Sequence, residues 1–178
     1  TGSRDTQTDG LCTLCGELEN QKHMATCRCA RAQFWGPLAQ LMRDHDFEVP
    51  QGQVDLTAMI VALRATSDKV VEREQADIIV VGWRCIYAEF VHSRVEMVPI
   101  DLGRALTRTV ELLISRIVAY GVGWERWVTT RNNTSQLSLI PHKVVSKLRL
   151  VSITAATGEY TVSKKLTDFL ATRRGGEA

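Results

Sequence analysis

The chain has 178 residues, of which 44% are hydrophobic, and its formal net charge is +2. This composition is typical of a globular protein rather than of a disordered segment, and the length suffices for one domain or slightly more. No apolar run approaches the length of about 20 residues that a membrane-spanning helix needs, so we expect no membrane partner.

Four soft metal ligands lie close together near the start of the chain. Cys12 and Cys15 are separated by two residues. Seven residues then precede His23, and three more precede Cys27. Thiolate sulfur and imidazole nitrogen are the ligands that zinc takes in tetrahedral sites, and four protein ligands leave no open coordination position. The sequence therefore predicts one structural Zn²⁺ in a CCHC zinc knuckle.

The fourth ligand of this site has two candidates. The spacing between His23 and Cys27 lets both side chains lie on one face of a helix, whereas Cys29 follows the histidine after five residues. We favour Cys27 and keep Cys29 as the alternative. Gly16, directly after the Cys-x-x-Cys unit, allows the positive φ that closes such a turn. Glu19 is our candidate for orienting the histidine through its second ring nitrogen.

Apolar residues recur at three- and four-residue steps through the centre of the chain, which predicts helices. The expected helices run over residues 30–45, 55–65, 70–98 and 101–129. Pro37 in the first predicts a kink or a restart, and Asp55 and Asp101 are placed to cap the second and the fourth. The two long helices, joined at Pro99, would form an αα-hairpin that is the scaffold of the domain.

The pattern changes beyond the polar linker at residues 132–135. Hydrophobic alternation over residues 148–154 and 160–162, with Gly158 between them, predicts a β-hairpin. Ser163 is placed to cap a last helix over residues 164–173.

The sequence thus predicts a mainly α fold, with an N-terminal zinc knuckle packed on a long αα-hairpin and a small C-terminal β-hairpin plus helix. We expect three parts: a leader and knuckle over residues 1–30, a helical domain over 31–130 and a basic tail over 131–178. Residues 126–178 carry nine Lys and Arg against three Asp and Glu, whereas residues 1–77 carry eight against twelve. A basic C-terminal third favours a polyanionic partner, and a merely solvated basic face is the alternative.

Basic side chains in the knuckle and the tail are the candidates for nucleic-acid binding, because contacts to phosphate need only positive charge. Trp124 and Trp127 would add base stacking if they were exposed, although we expect both in the core. The basic candidates are Lys22, Arg28, Arg31, Arg126, Arg131, Lys143, Lys147, Arg149, Lys164 and Lys165.

The opening cluster resembles the cysteine-histidine region that follows the reverse transcriptase in non-LTR (LINE-type) retrotransposon proteins. The likeness covers residues 11–38 and departs from the usual four-residue gap between the histidine and the last cysteine. It rests on Cys12-x-x-Cys15-Gly16, on Glu19-Asn20-x-x-His23 and the cysteine after it, and on Ala30-Arg31 and Trp35.

This resemblance implies an accessory domain that helps a polymerase hold template RNA and target DNA during target-primed reverse transcription. RNA or DNA, or both, and the rest of the parent reverse transcriptase would be its partners, in an intracellular and nuclear location. We expect no catalytic residues and no small-molecule substrate in this chain, which begins with Thr1 and which we take to be a fragment of a longer protein.

Two other interpretations remain open. In one of them the chain is a protein-interaction module, that is, a helical docking or dimerisation domain in which the zinc is purely structural. In the other, more remote one, the Cys-x-x-Cys unit is a redox dithiol, which would need a βαβ context that the surrounding sequence lacks.

Overall fold

The computed structural model describes residues 10–130, 147–153 and 160–175, with the side chains of helix α6 described up to Val118. It confirms a mainly helical fold with a small antiparallel sheet, in which Val151 pairs with Val162. The predicted turn at Gly158 lies outside the described residues. None of the described helices is both long enough and apolar enough to cross a bilayer. The elements are α1 (Gln21–Thr26), α2 (Arg28–Ala30), a π-helical turn (Arg31–Trp35), α3 (Gly36–Asp44), α4 (Leu56–Ala65), α5 (Lys69–Glu96), α6 (Leu102–Thr130), β1 (Val151–Ile153), β2 (Tyr160–Val162) and α7 (Lys164–Gly175).

The helix predicted over residues 30–45 changes its winding in the middle. In the π-helical turn, the Gly36 N–H donates to the carbonyl of Arg31, five residues earlier. Helix α3 then begins with Pro37 in its first turn, where the missing N–H of proline costs no helical hydrogen bond. Pro37 therefore marks a restart. The turn places Phe34 and Trp35 in the core, packed edge to face with ring centroids 4.9 Å apart.

Helices α5 and α6 form the predicted antiparallel hairpin around which the core is built. Gly82 of α5 lies so close to α3 that a Cβ there would stand 2.9 Å from a methyl group of Leu38. At the corner between the two helices, the buried carboxylate of Glu89 accepts from the Asp101 N–H and from the guanidinium of Arg104. The Asp101 side chain in turn accepts from the Arg104 N–H at 2.8 Å, which confirms it as the cap of α6.

The C-terminal part docks on the helices through buried leucines and through polar contacts. The carboxylate of Glu74 in α5 accepts from the N–H groups of Arg149 and Leu150, just before β1. Burial raises the pKa of Glu74, because the two N–H donors do not fully replace lost hydration. The hydroxyl of Ser163, which we expected to cap α7, lies instead 2.9 Å from Nε2 of His45 at the end of α3.

His45 therefore links α3 to the start of α7 in a buried setting. Its Nδ1 lies 2.7 Å from the carbonyl oxygen of Leu41, which can only accept, so Nδ1 carries the proton and Nε2 accepts from Ser163. Burial lowers the pKa of His45, and the nearby charge of Lys165 lowers it further, against the raising effect of Asp44 and Asp46. The folded protein holds the ring neutral.

Acidification should weaken the fold through His45. Because its folded pKa lies below the unfolded value of about 6.5, stability that is present above that pH is lost as the pH falls below it. We expect the free energy of unfolding in urea to fall more steeply on acidification for the wild type than for His45→Gln. Both proteins keep the same cysteine-histidine cluster, so any loss of metal affects them equally. Parallel pH profiles would contradict the expectation.

Candidate metal centre

A short loop presents the first two cysteines to the same side. The Cys12 N–H donates to the carbonyl of Glu17 at 2.7 Å, and the Gly16 N–H donates to the carbonyl of Cys12 at 2.8 Å. Gly16 has a φ of 76°, a left-handed conformation that glycine adopts without steric cost. The loop thereby turns back on itself directly after Cys15.

Helix α1 presents the other two candidate ligands. His23 lies in its first turn and Cys27 follows its last residue. Asn20 fixes the start of the helix, because its side-chain oxygen accepts from the His23 N–H at 2.8 Å. We did not predict this cap from the sequence, although an asparagine three residues before the histidine is a recognisable N-cap signal.

The four side chains converge on one point. The sulfurs of the three cysteines and a ring nitrogen of His23 all lie within 4.8 Å of one another. Cys15 Sγ is 3.2 Å from His23 Nε2 and 3.8 Å from Cys27 Sγ. Two thiolates bound about 2.3 Å from a tetrahedral ion stand about 3.8 Å apart, so this sulfur–sulfur distance is that of two ligands of one ion. Cys12, Cys15, His23 and Cys27 therefore lie close enough together to hold a metal ion.

Cys29 is directed away from this point. Its sulfur lies 3.3 Å from the carbonyl oxygen of Leu14, and it is not among the residues that converge. Of the two candidates for the fourth ligand, the structure brings Cys27 into the cluster and leaves Cys29 beside it.

Burial shapes the chemistry of these thiols. It raises the pKa of Cys27 to about 12 and also raises that of Cys12, because an enclosed sulfur loses the water that would stabilise its thiolate. A cation at the centre reverses this preference, since a coordinating thiol is deprotonated outright. The arrangement thus suits an enclosed ion with all its ligands supplied by the protein.

The carboxylate that contacts His23 belongs to Glu17, not to Glu19. Glu17 Oε2 lies 3.3 Å from His23 Nδ1, on the side of the ring opposite the sulfurs, where it can orient the ligand. Our expectation for Glu19 was wrong, because its buried carboxylate lies 2.8 Å from the guanidinium of Arg94, as an ion pair without an aligned N–H. Glu19 therefore fastens the knuckle to α5.

Arg31 fastens the cluster to the start of α4. Its guanidinium lies 3.0 Å from the carboxylate of Asp55 and also donates to the side chain of Gln53 and the carbonyl of Thr26. Asp55 at the same time accepts from the Ala58 N–H, which confirms it as the cap of α4. The contacts of Arg31, one of the nucleic-acid candidates, are therefore structural.

Two basic candidates beside the cluster are exposed. Lys22 lies on α1, and Arg28 donates to the carbonyl of Cys15 at 3.1 Å, so that its charge stands next to a candidate ligand. Three further candidates belong to residues whose side chains lie outside the described part of the chain: Arg126, Arg131 and Lys143.

The remaining candidates lie near the turn after α3 and the start of α5. The guanidinium of Arg149 stands over the ring of Phe47, 5.5 Å from its centroid, and Lys165 donates to the carbonyl of Asp44. Lys147 forms an ion pair with a carboxylate at the start of α5. Lys164, directly before Lys165 in the sequence, is exposed. The structure therefore gathers basic residues in two places, rather than on one continuous surface of the described chain.

Comparisons of this chain with protein-family models, with curated proteins and with solved structures find no match.

Replacement of single cysteines should identify the fourth ligand. We expect Cys27→Ser to abolish stoichiometric metal binding and to unfold the N-terminal segment, because the binding free energy of a structural site, on the order of 10 kcal/mol, is coupled to its folding. Cys29→Ser, the matched control, should keep one bound ion per chain. Elemental analysis and circular dichroism measure both effects, and the reverse pattern would assign the ligand to Cys29.

The contact of Glu17 with His23 should add to metal affinity. We expect Glu17→Ala to weaken the affinity about tenfold, at the lower end for such contacts, because this carboxylate is largely exposed. The measurement is competition with a chromophoric chelator. Glu96→Ala, which removes another exposed carboxylate far along α5, should bind the ion like the wild type. Equal affinities for the two variants would show that Glu17 does not support the histidine.

Proposed function

We propose that this chain is a metal-stabilised nucleic-acid-binding accessory domain of a retrotransposon reverse transcriptase protein, and that it helps the parent polymerase hold template RNA or target DNA. The observation that carries the proposal is the convergence of Cys12, Cys15, His23 and Cys27. In the sequence, these residues form the motif that resembles the cysteine-histidine region of LINE-type proteins.

The proposed ion is Zn²⁺. Three thiolates and one imidazole form a soft donor set, which favours zinc over the hard ions magnesium and calcium. Four protein ligands complete a tetrahedron, so the ion has no position left for a water or a substrate. Its role is then to hold a loop against a helix, and the domain performs no reaction of its own.

The nucleic acid would first meet the exposed basic residues that form no ion pair with a carboxylate of the described chain. Lys22 and Arg28 lie on the surface beside the metal centre. Lys164 lies on the surface in the second basic group, near the turn after α3. Arg31 is a poor candidate, because a phosphate would have to displace the carboxylate of Asp55. With contacts of this kind, binding is driven by charge, tolerates different sequences and depends strongly on salt.

The proposed partners are therefore RNA or DNA and the rest of the parent reverse transcriptase, and no small molecule. The two basic groups stand on different parts of the fold, so a strand that touched both would run from the knuckle towards the turn after α3. Such a path would hold a strand in place without any group that cleaves or extends it.

Binding of labelled oligonucleotides to the zinc-loaded chain tests this proposal. In fluorescence anisotropy we expect single-stranded RNA or DNA to bind, with log K falling as log salt rises by about 0.7 for each phosphate contact. Replacing Lys22, Arg28 and Lys164 together by alanine should weaken binding to every sequence and lower that slope by about 2. All three are exposed, but Arg28 also donates to the carbonyl of Cys15, so circular dichroism and metal content must establish that the triple variant is folded.

The control replaces exposed arginines on other helices. Arg64→Ala and Arg108→Ala, on α4 and α6, each remove one positive charge from a surface to which we assign no contact. They should leave the salt slope unchanged. Absence of binding even at low salt would contradict the proposal and favour the protein-interaction module, in which the helical faces dock onto another protein.

A further inference from the structure

Helix α5 is apolar on two opposite faces. One face buries residues such as Ile86 and Phe90 in the core. The other leaves Val80, Tyr87 and Val91 with 50%, 44% and 42% of their surfaces exposed. A helix that serves a single core has a polar outer face, whereas this second face exposes about half of three large side chains in the described part of the chain. Stripes of this kind mark surfaces that bind another protein.

The outward residues have the spacing of a coiled-coil seam. Steps of three and four residues alternate along the exposed side of α5 without interruption, as between the a and d positions of a heptad. The seam spans about 25 Å at 1.5 Å per residue. Its residues are Asp77, Val80, Arg84, Tyr87, Val91 and Arg94.

When the seam is read in the opposite direction, each side chain faces one that it can pair with, so two antiparallel copies of α5 are complementary. If two copies of α5 lie antiparallel with the two-fold axis between residues 85 and 86, every layer joins an a position to a d position. One layer is then apolar, one joins opposite charges, and one places a guanidinium on an aromatic ring. Two-fold symmetry repeats each layer. The facing pairs are Val80 with Val91, Asp77 with Arg94, and Arg84 with Tyr87.

Other arrangements of the same two helices bring like charges together or leave charges unpaired. A parallel, in-register pair opposes Asp77 to Asp77 and Arg84 to Arg84. A shift of the antiparallel pair by one heptad opposes Arg84 to Arg94, and the opposite shift leaves Asp77 facing Tyr87. Like charges at an interface disfavour the wrong partner and the wrong register, so the charges select one geometry.

The two charged residues of the outer layer can reach a second copy. Asp77 and Arg94 each have a partner in their own chain, Arg116 at 3.4 Å and Glu19 at 2.8 Å. Their side chains nevertheless remain 43% and 55% exposed. A contact with the other copy would therefore extend existing ion pairs.

We propose that the outer face of α5, from Asp77 to Arg94, binds the same face of a second copy of this chain in an antiparallel pair. The interaction does not depend on nucleic-acid binding. Because Glu19 ties the knuckle to Arg94, near the C-terminal end of α5, the dimer places its two metal centres at opposite ends of the shared seam.

Sedimentation equilibrium of the zinc-loaded chain tests the interface. We expect a mass that rises with concentration towards twice the 19.9 kDa of one chain. Val91→Lys puts a lysine into two layers and should weaken the dimer about a hundredfold. The matched control, Val61→Lys on α4, changes an exposed valine outside the seam and should dimerise like the wild type. A wild type that stays monomeric, or equal behaviour of the two variants, would overturn the proposal.

A charge exchange tests the register. Asp77→Arg alone opposes two arginines in each outer layer and should weaken the dimer, whereas Asp77→Arg combined with Arg94→Asp restores opposite charges and should recover it. Circular dichroism and metal content establish that the double variant is folded, since Arg94 also holds Glu19. A folded double variant that stays as weak as Asp77→Arg would contradict the antiparallel register.

Discussion

Three buried thiols and one imidazole that meet at a point constrain the whole N-terminal part of this protein. Between residues 10 and 30 the chain buries few large apolar side chains, so packing alone gives it little stability. Binding of a metal ion contributes on the order of 10 kcal/mol at such a site, as much as the total stability of a typical domain. In the proposed metal-bound state, folding of the segment and binding of the ion are one event, which sets the position of the loop relative to α1.

Two ion pairs connect the N-terminal segment to the helical body and fix its position there. Arg31 connects the segment after Cys27 to the cap of α4, and Glu19 connects the loop to α5. Both carboxylates are largely buried, so losing either partner would leave an enclosed charge unpaired. Arg94 takes part in two interfaces, because it binds Glu19 and also lies on the outer face of α5. The metal centre and the proposed dimer surface thus meet at one side chain.

The C-terminal part is held by polar contacts in addition to apolar packing, in which Leu150, Leu166 and Leu170 are buried in the core. Glu74 binds the backbone before β1, and His45 binds Ser163 at the start of α7. Buried polar groups of this kind tolerate few alternative arrangements, because each needs its own partner. They fix where Arg149 and Lys165 stand around the turn after α3, so the placement of these two basic residues is a property of the fold.

The sequence by itself determined what depends on neighbouring residues. The ligand spacing, the period of the helices and the caps at Asp55 and Asp101 each involve groups within one short stretch of the chain, and the structure agrees with them. Only the tertiary structure decided that Glu19 turns to Arg94 and that Ser163 meets His45, 118 residues away. The sequence shows that a carboxylate or a hydroxyl needs a hydrogen-bond or ion-pair partner. Which residue becomes that partner depends on how the helices pack. That packing is set by side chains spread over the whole chain, and no local pattern records it.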